Sequence, residues 1–144
     1  VKRLQRDGRI SMSNLAQEAN LSDTPCLRRV KKLEQAVVIE GYQATLNRQA
    51  FTLNVLVYAF VRLSANSDKL ATQFEHTVAR LEQVLECSVV TGAYDYLLKI
   101  IAEDLEDYES FVKKSLGTID YIATIESTVV VKQTLSRNVL PIKM

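Results

Sequence analysis

The sequence predicts an α+β protein with an N-terminal helix-turn-helix domain followed by a ferredoxin-like βαββαβ domain that dimerises through its sheet. In the first third, a tight turn joins two short amphipathic helices. In the remainder, apolar strands alternate with two amphipathic helices in the split βαβ order. The charge also changes sign, because residues 1–48 carry nine basic and five acidic side chains, whereas residues 49–144 carry nine and twelve. The formal net charge of +1 therefore combines a basic part of +4 with an acidic part of −3.

Length and composition exclude several protein classes. The 144 residues can form one domain or two small ones with a sizeable core. Four glycines and two prolines exclude collagen-like and low-complexity chains. No apolar stretch approaches the roughly 20 residues that span a bilayer, and no leader indicates secretion. Two distant cysteines and one histidine match no metal-ligand spacing, so we expect a cytoplasmic protein without membrane partner, metal or cofactor.

The N-terminal domain is expected to begin with two helical segments. Residues 1–9 are typical of a helix end, and a few residues are expected to be missing before them. The next helix begins at Ser11 or Ser13, as alternative N-caps, and runs to Ala19. Asn20 can adopt the left-handed conformation that ends a helix. The expected inner face of this helix consists of Met12, Leu15, Ala16 and Ala19.

The following helix carries a cluster of cations. Ser22 or Asp23 is its expected N-cap, and Pro25 suits the first turn, where a missing N–H loses no partner. The expected inner side is formed by Leu27, Val30 and Glu34, with Leu33 on its flank, and the outer side by Arg28, Arg29 and Lys32. The second helix of a helix-turn-helix enters the major groove of DNA. The alternative is that these cations form only a solvated face.

The helix-turn-helix domain is expected over residues 1–42, a strand linker or hinge over 43–54, and the ferredoxin-like domain over 55–144. The β-branched residues of 37–42 predict a short strand at the end of the first domain. The expected elements of the second domain are strand 55–65, helix 67–84, strands 85–91 and 96–102, a helix from Asp104 to Gly117, and strand 122–134.

The first strand of the second domain is apolar on both faces. One face carries Val55, Val57, Ala59, Val61 and Leu63, and the other carries Leu56, Tyr58 and Phe60. The two helices cover only one face, and an uncovered apolar sheet is unfavourable in water. We therefore expect a second copy to cover the other face. Such a homodimer fits a palindromic operator in double-stranded DNA.

These motifs resemble the Lrp/AsnC (feast/famine, leucine-responsive regulatory protein) family of transcriptional regulators. In the first domain the resemblance lies in LSDTPCLRRV at 21–30, in Leu33-Glu34 and in IEGY at 39–42. In the second domain, TGAYDYLL at 91–98 is similar to the Gly-x-x-Asp-Tyr motif of the family's ligand-responsive domain. The tail NVLPI at 138–142 fits as well, so the resemblance covers essentially the whole chain.

The resemblance implies a bacterial or archaeal DNA-binding regulator that assembles as homodimers and octamers. It implies an amino-acid effector bound at the interface between dimers, near the Gly-x-x-Asp-Tyr turn. The implied DNA-binding residues are Ser22, Thr24, Cys26, Arg28, Arg29 and Lys32. The implied effector-binding residues are Gly92, Tyr94, Asp95 and Tyr96, with residues of strand 124–128.

Two departures from the family pattern bear on these expectations. Val37 stands where the family usually has glycine, and a β-branched residue is uncomfortable at positive φ, so we expect the second helix to end differently. The family's opening segment is also absent.

The sequence also has to be compared with an enzyme and with other roles for single residues. The sequence has no P-loop, GxGxxG motif or nucleophile elbow, so an enzyme is not expected, and the carboxylates at 103–109 are typical of a helix start. Asp95 has the alternative role of capping a turn. Instead of contacting DNA, Cys26 could pack in the core or act as a redox-sensing thiol beside Arg28 and Arg29. Two other functions are open for the chain as a whole. It could be an architectural protein that wraps DNA without an effector, or a regulatory module whose helix-turn-helix contacts protein.

Overall fold

The computed structural model describes residues 1–143, which form two compact units. The first unit contains Val1–Leu46 together with the chain from Thr134 onward, and the second contains Asn47–Gln133. The tail, which was expected to belong to the second domain, makes its contacts with the first unit. Within the described residues, no helix is long and apolar enough to cross a membrane.

The first unit is built around two helices, α1 (Met12–Glu18) and α2 (Asp23–Gln35). Ser11 is the N-cap of α1, since its Oγ accepts a hydrogen bond from the Asn14 N–H at 3.1 Å. Ser13 instead donates to Asp23 Oδ2 at 3.0 Å and so joins the two helices. The core of this unit consists of Leu15, Ala16, Cys26 and Val30, with Leu4, Ile10, Met12 and Leu21 packed against it.

The inner face of α2 differs from the expected one. Cys26 is only 3% exposed, whereas Leu27 is 40% exposed and Glu34 is also exposed. The buried side therefore centres on Cys26, one residue or about 100° away from the expected centre at Leu27. A small thiol packs closely against the short α1, which the apolar periodicity alone does not reveal. The expectation that Ala19 faces inward was also wrong, because Ala19 is exposed.

Both helices of the first unit end in the same hydrogen-bonded motif. Asn20 (φ 56°) and Val37 (φ 58°) are left-handed, and the next residues, Leu21 and Val38, donate back to Ala16 O at 2.8 Å and Leu33 O at 2.9 Å. This is the Schellman motif, which usually carries glycine at the left-handed position. The expectation for Asn20 is confirmed. The expectation that α2 ends differently was wrong, because Val37 takes the strained conformation.

The strand expected at 37–42 was wrong. Residues 37–39 form a turn and a bend, and residues 40–42 have no regular secondary structure, because an isolated strand has no neighbour to satisfy its N–H and C=O groups. A short 3₁₀ helix follows at Arg48–Phe51.

The second unit has the predicted order, which confirms the fold class. Its elements are β1 (Val55–Leu63), α3 (Asp68–Ala79), β2 (Val84–Val89), β3 (Tyr96–Ala102), α4 (Leu105–Phe111), which continues as a π-helical turn (Val112–Leu116), and β4 (Ile122–Val129). The sheet order is β2-β3-β1-β4, with all neighbours antiparallel. The last strand ends earlier than expected because Val129 already pairs with Val57, near the start of β1.

Both helices of the second unit pack on one face of the sheet. On β1, the residues at 57, 59 and 61 are completely buried. They pack in one cluster with Phe74 and Val78 of α3 and with Tyr108 and Phe111 of α4. Asp104 caps α4 as predicted, because its Oδ1 accepts from the Asp107 N–H at 2.7 Å.

Replacing Val37 by glycine is expected to stabilise the first unit by roughly 0.5–1 kcal/mol. A left-handed non-glycine residue costs about 1–2 kcal/mol, part of which glycine loses again through its freer unfolded chain. Little burial is lost, since Val37 is 66% exposed. Urea unfolding followed by circular dichroism measures the change.

Val38→Gly is the matched control, since Val38 is similarly exposed but not left-handed. It should lower the free energy of unfolding. If both variants shift the free energy in the same direction, backbone strain at Val37 is refuted.

Candidate DNA interface and effector loop

The outward side of α2 presents a straight polar row. Thr24, Arg28, Lys31 and Gln35 follow one another at spacings of four, three and four residues, within about 40° of the point opposite Cys26. All four are exposed. A row of this kind on the second helix of a helix-turn-helix matches the surface that enters the major groove.

The cations of α2 are not neutralised by neighbouring acids. Among residues 1–143, the ion pairs are Arg3 with Asp7 and with Glu18, and Lys99 with Glu86. None of them involves a cation of α2. The four cations Arg28, Arg29, Lys31 and Lys32 therefore present their full charge to solvent, which suits binding to phosphate or to guanine edges.

The structure separates the six expected DNA-binding residues into two groups. Five are exposed on or beside α2: Ser22, Thr24, Arg28, Arg29 and Lys32. The sixth, Cys26, is buried in the core of the first unit, so its thiol is removed from the set. Lys31 and Gln35 were missed. The signal that would have identified them is the angular position of each residue relative to Cys26 rather than Leu27.

Gly92 lies at the turn between β2 and β3. Its φ of +107° lies in the region that side chains rarely adopt, and a Cβ placed there would meet no atom within 4 Å. The glycine is therefore required by backbone conformation and not by crowding. The loop closes through the Val90 N–H, which donates to Asp95 O at 3.0 Å.

Asp95 anchors this loop to β1. Its carboxylate Oδ2 accepts the Leu63 N–H at 2.8 Å, and its own N–H donates to Val61 O at 2.9 Å. The carboxylate therefore bonds the neighbouring strand, and not an N–H group of its own turn as in the capping alternative. In the described part of the chain, Asp95 Oδ1 has no hydrogen-bond partner, so half of the carboxylate is available to a ligand.

Tyr94 lies on the face of the sheet that the helices leave open. Its ring centroid is 5.4 Å from that of Phe60, and the Arg62 guanidinium lies 5.9 Å from the Tyr94 centroid. Its hydroxyl donates to a carboxylate oxygen of Glu126 on β4. This hydrogen bond raises the pKa of Tyr94. The loop thereby reaches across β1 to β4.

Tyr96 points to the helix-covered face instead. It is 3% exposed, lies 4.6 Å from the Phe74 ring between centroids, and donates to Glu75 Oε2 at 2.5 Å. Burial and the Glu75 carboxylate raise the pKa of Tyr96, so its hydroxyl stays protonated near neutral pH. In a regular strand, residues 94 and 96 would share a face. They diverge because Tyr94 precedes β3 and follows the turn at Gly92.

The four expected effector residues therefore do not line one cavity. Asp95 and Tyr96 share a cleft of about 140 Å³ beside Ser67, the N-cap of α3. A neighbouring cleft of about 330 Å³ contains Tyr96, Glu75 and Cys87, whose thiol pKa is raised by burial and then by Glu75. Neither cleft includes Gly92 or Tyr94. Among residues 1–143, no cluster of histidine, cysteine and carboxylate side chains is arranged to hold a metal.

Comparison with known proteins gives matches over both units. Residues 1–34 match the AsnC-type helix-turn-helix domain, and residues 56–140 match the Lrp/AsnC ligand binding domain. The leucine-responsive regulatory proteins of Klebsiella pneumoniae and Escherichia coli are 35% identical over 143 residues, covering 99% of this chain and 87% of theirs.

Two solved structures are similar over the same extent. A transcriptional regulator from Neisseria meningitidis, solved as a complex with L-Met, has a TM-score of 0.92 at 29% identity and covers 97% of this chain and 90% of its own. An AsnC family transcriptional regulator from Agrobacterium tumefaciens has the same TM-score and identity, with coverage of 97% and 91%.

Proposed function

The chain belongs to the Lrp/AsnC family of transcriptional regulators, and from this we propose that it is a homodimeric operator-binding protein whose DNA binding responds to an amino acid. The family is one of regulators and not of enzymes. The observation that carries the proposal is the row of exposed, unneutralised polar and cationic residues along α2.

The outward row of α2 supports a division of roles in DNA binding. An arginine fork matches the O6 and N7 acceptors of guanine, whereas a lysine supplies a point charge suited to phosphate. We propose Arg28 as a reader of a base edge, because it lies in the middle of the row. Arg29 and Lys32 lie together on one flank of the row, about 120° and 60° from the point opposite Cys26, and fit contacts to the backbone there.

Arg28→Ala is expected to weaken operator binding by about 1–3 kcal/mol and to relax the base preference at one position. Lys32→Ala should weaken binding to operator and random DNA alike, and should reduce the log–log salt slope by about 0.9. Fluorescence anisotropy with both DNAs at several salt concentrations measures these changes. Arg80→Ala, on the exposed end of α3, is the matched control. Unchanged affinity in both α2 variants would exclude α2 as the DNA-binding element.

The open face of the sheet supports a dimer. Tyr58, Phe60 and Leu97 are only half-buried there, and they lie next to one another because Phe60 pairs with Leu97 across the two central strands. The face is more mixed than the sequence suggested, since Lys99 bonds Glu86 at 3.5 Å beside these residues. An apolar centre with charged groups at its margin is the usual composition of a protein interface.

Phe60→Asp is expected to dissociate the dimer, because burying an unpaired carboxylate costs several kcal/mol and thus raises the dissociation constant by at least roughly a hundredfold. Sedimentation equilibrium measures the constant, and circular dichroism checks the fold. Val89→Asp, at a 75% exposed position on edge strand β2, is the control. If the Phe60→Asp protein remains a dimer, the open face of the sheet around Phe60 is not the dimer interface. The wild-type experiment also reports whether dimers assemble into the octamer expected from the resemblance.

An amino-acid effector is supported by the chemistry of the loop and by one relative. The Neisseria meningitidis regulator was solved as an L-Met complex. Here Asp95 Oδ1 is suited to accept an α-ammonium, and a loop containing Gly92 allows a carboxylate to approach backbone N–H groups. The 140 Å³ cleft is small for a complete ligand site. We therefore propose that a neighbouring dimer completes the site, with Gly92, Asp95 and Tyr96 on this side and Tyr94 holding the loop.

Calorimetric titration with the twenty amino acids, L-Met and L-Leu first, is expected to give heat with at least one. Asp95→Asn should abolish that heat, since the amide removes the charge but keeps an oxygen for the Leu63 N–H, leaving the melting temperature nearly unchanged. If Asp95→Asn leaves the heat unchanged, Asp95 does not bind the α-ammonium group of the effector.

The absence of heat with every amino acid would favour the alternative of an architectural, DNA-wrapping protein. That alternative is supported by the divergence of Tyr94 and Tyr96. It further requires that operator and random DNA bind with similar affinity at equal salt, whereas a local regulator prefers its operator by about 10³ or more.

A further inference from the structure

The C-terminal tail is held on the first unit by a paired side-chain contact. Gln5 Nε2 donates to Leu140 O at 3.0 Å, and the Leu140 N–H donates to Gln5 Oε1 at 2.8 Å. One amide side chain thus satisfies both backbone groups of one tail residue. Leu140 and Ile142 also line a cleft of about 610 Å³ together with Leu4 and Tyr42, so the tail and the N-terminal segment share one partly apolar surface.

Docking of the tail increases the charge of the DNA-binding unit. From Thr134 onward the tail contains two basic side chains, Arg137 and Lys143, and no acidic one. With the part of the tail from Thr134 onward, the first unit has ten basic and five acidic side chains, a net charge of +5, and the second has eight and twelve, a net charge of −4. The tail therefore adds cations to the part of the molecule that already carries the basic α2.

The tail also forms a polar cleft with the N-terminal turn. This cleft of about 450 Å³ is lined by two arginines, Arg6 and Arg137, and by the polar side chains of Gln5, Thr45, Ser136 and Asn138. Over the part of the chain that the structure describes, neither arginine forms an ion pair with a carboxylate. Guanidinium, hydroxyl and amide donors around one cleft are the groups that bind phosphate oxygens.

We propose that the Arg6–Arg137 cleft binds a phosphate of the DNA backbone, so that the docked tail is a second DNA-contacting element separate from α2. The inference rests on the proposed DNA binding. Basic segments outside the recognition helix contact the backbone in several helix-turn-helix proteins. A phosphate between the two guanidiniums also offsets the repulsion of like charges that share a cleft.

The test compares Arg137→Gln with Arg80→Gln, an exposed arginine of the second unit, in anisotropy titrations over a series of salt concentrations. Loss of one phosphate contact is expected to reduce the log–log slope by about 0.9, which amounts to a roughly eightfold loss of affinity at 0.1 M salt relative to 1 M. The loss should be equal on operator and random DNA, because a phosphate carries no sequence information. Arg80→Gln should leave both quantities unchanged.

The variant Gln5→Ala tests separately whether docking of the tail is needed for the DNA contact. It releases the tail, so its effect on affinity should overlap with that of Arg137→Gln instead of adding to it. Additive effects, or an unchanged salt slope in Arg137→Gln, overturn the proposal.

Two further measurements separate the causes of failure. If Arg28→Ala and Lys32→Ala also leave binding unchanged, the proposed DNA binding itself has failed; if either weakens binding while Arg137→Gln does not, only the tail contact has failed. Calorimetry with inorganic phosphate, without DNA, distinguishes the source of the anion. Heat that Arg137→Gln removes, with DNA affinity unchanged, would assign the cleft to a free anion and overturn the DNA contact.

Discussion

Strand β1 is hydrogen-bonded along both edges, to β3 from Val55 to Val61 and to β4 from Val57 to Leu63, and the chain segments on either side of the sheet core are attached to it. At its C-terminal end, the backbone of Val61 and Leu63 holds Asp95 and thereby the Gly92 loop. At its N-terminal end, Leu56 O accepts the Val130 N–H, where the chain leaves the sheet towards the tail. Because β1 is central and its residues 57, 59 and 61 are completely buried, neither attachment can shift without disturbing the core.

The element order, the sheet faces and several helix boundaries could be predicted from the sequence. Alternation along β1 depends only on the two-residue period of a strand, and the caps at Asp104 and Asn20 depend only on local hydrogen bonding. The inner face of α2 could not be predicted correctly, because the small Cys26, and not the larger Leu27, packs against Leu15 and Ala16 of α1. The strand at 37–42 failed because strand propensity has no effect without a partner strand.

The candidate site was predicted less completely than the fold. The outward cations of α2 follow from helical periodicity, and three of the four, all except Lys31, were predicted without knowing the exact rotation of the helix. The directions of Tyr94 and Tyr96 depend on the path of the chain through Gly92, which no periodicity describes. Val37 was predicted wrongly because residue preference alone does not decide its conformation. The Val37 and Val38 N–H groups donate to Glu34 O and Leu33 O, and these bonds impose a left-handed conformation that a valine disfavours.

The contact between Gln5 and Leu140 joins residues 135 positions apart, so the unit encoded first receives one of its contacts from the last part of the chain to be made. During synthesis, α1 and α2 leave the ribosome before the sheet domain, yet the groove beside Gln5 remains unfilled until the tail emerges. Closing so long a loop is slow unless intervening structure brings the ends together. The first unit thus reaches its full set of contacts, and its net charge of +5, only after the last residues of the chain have been made.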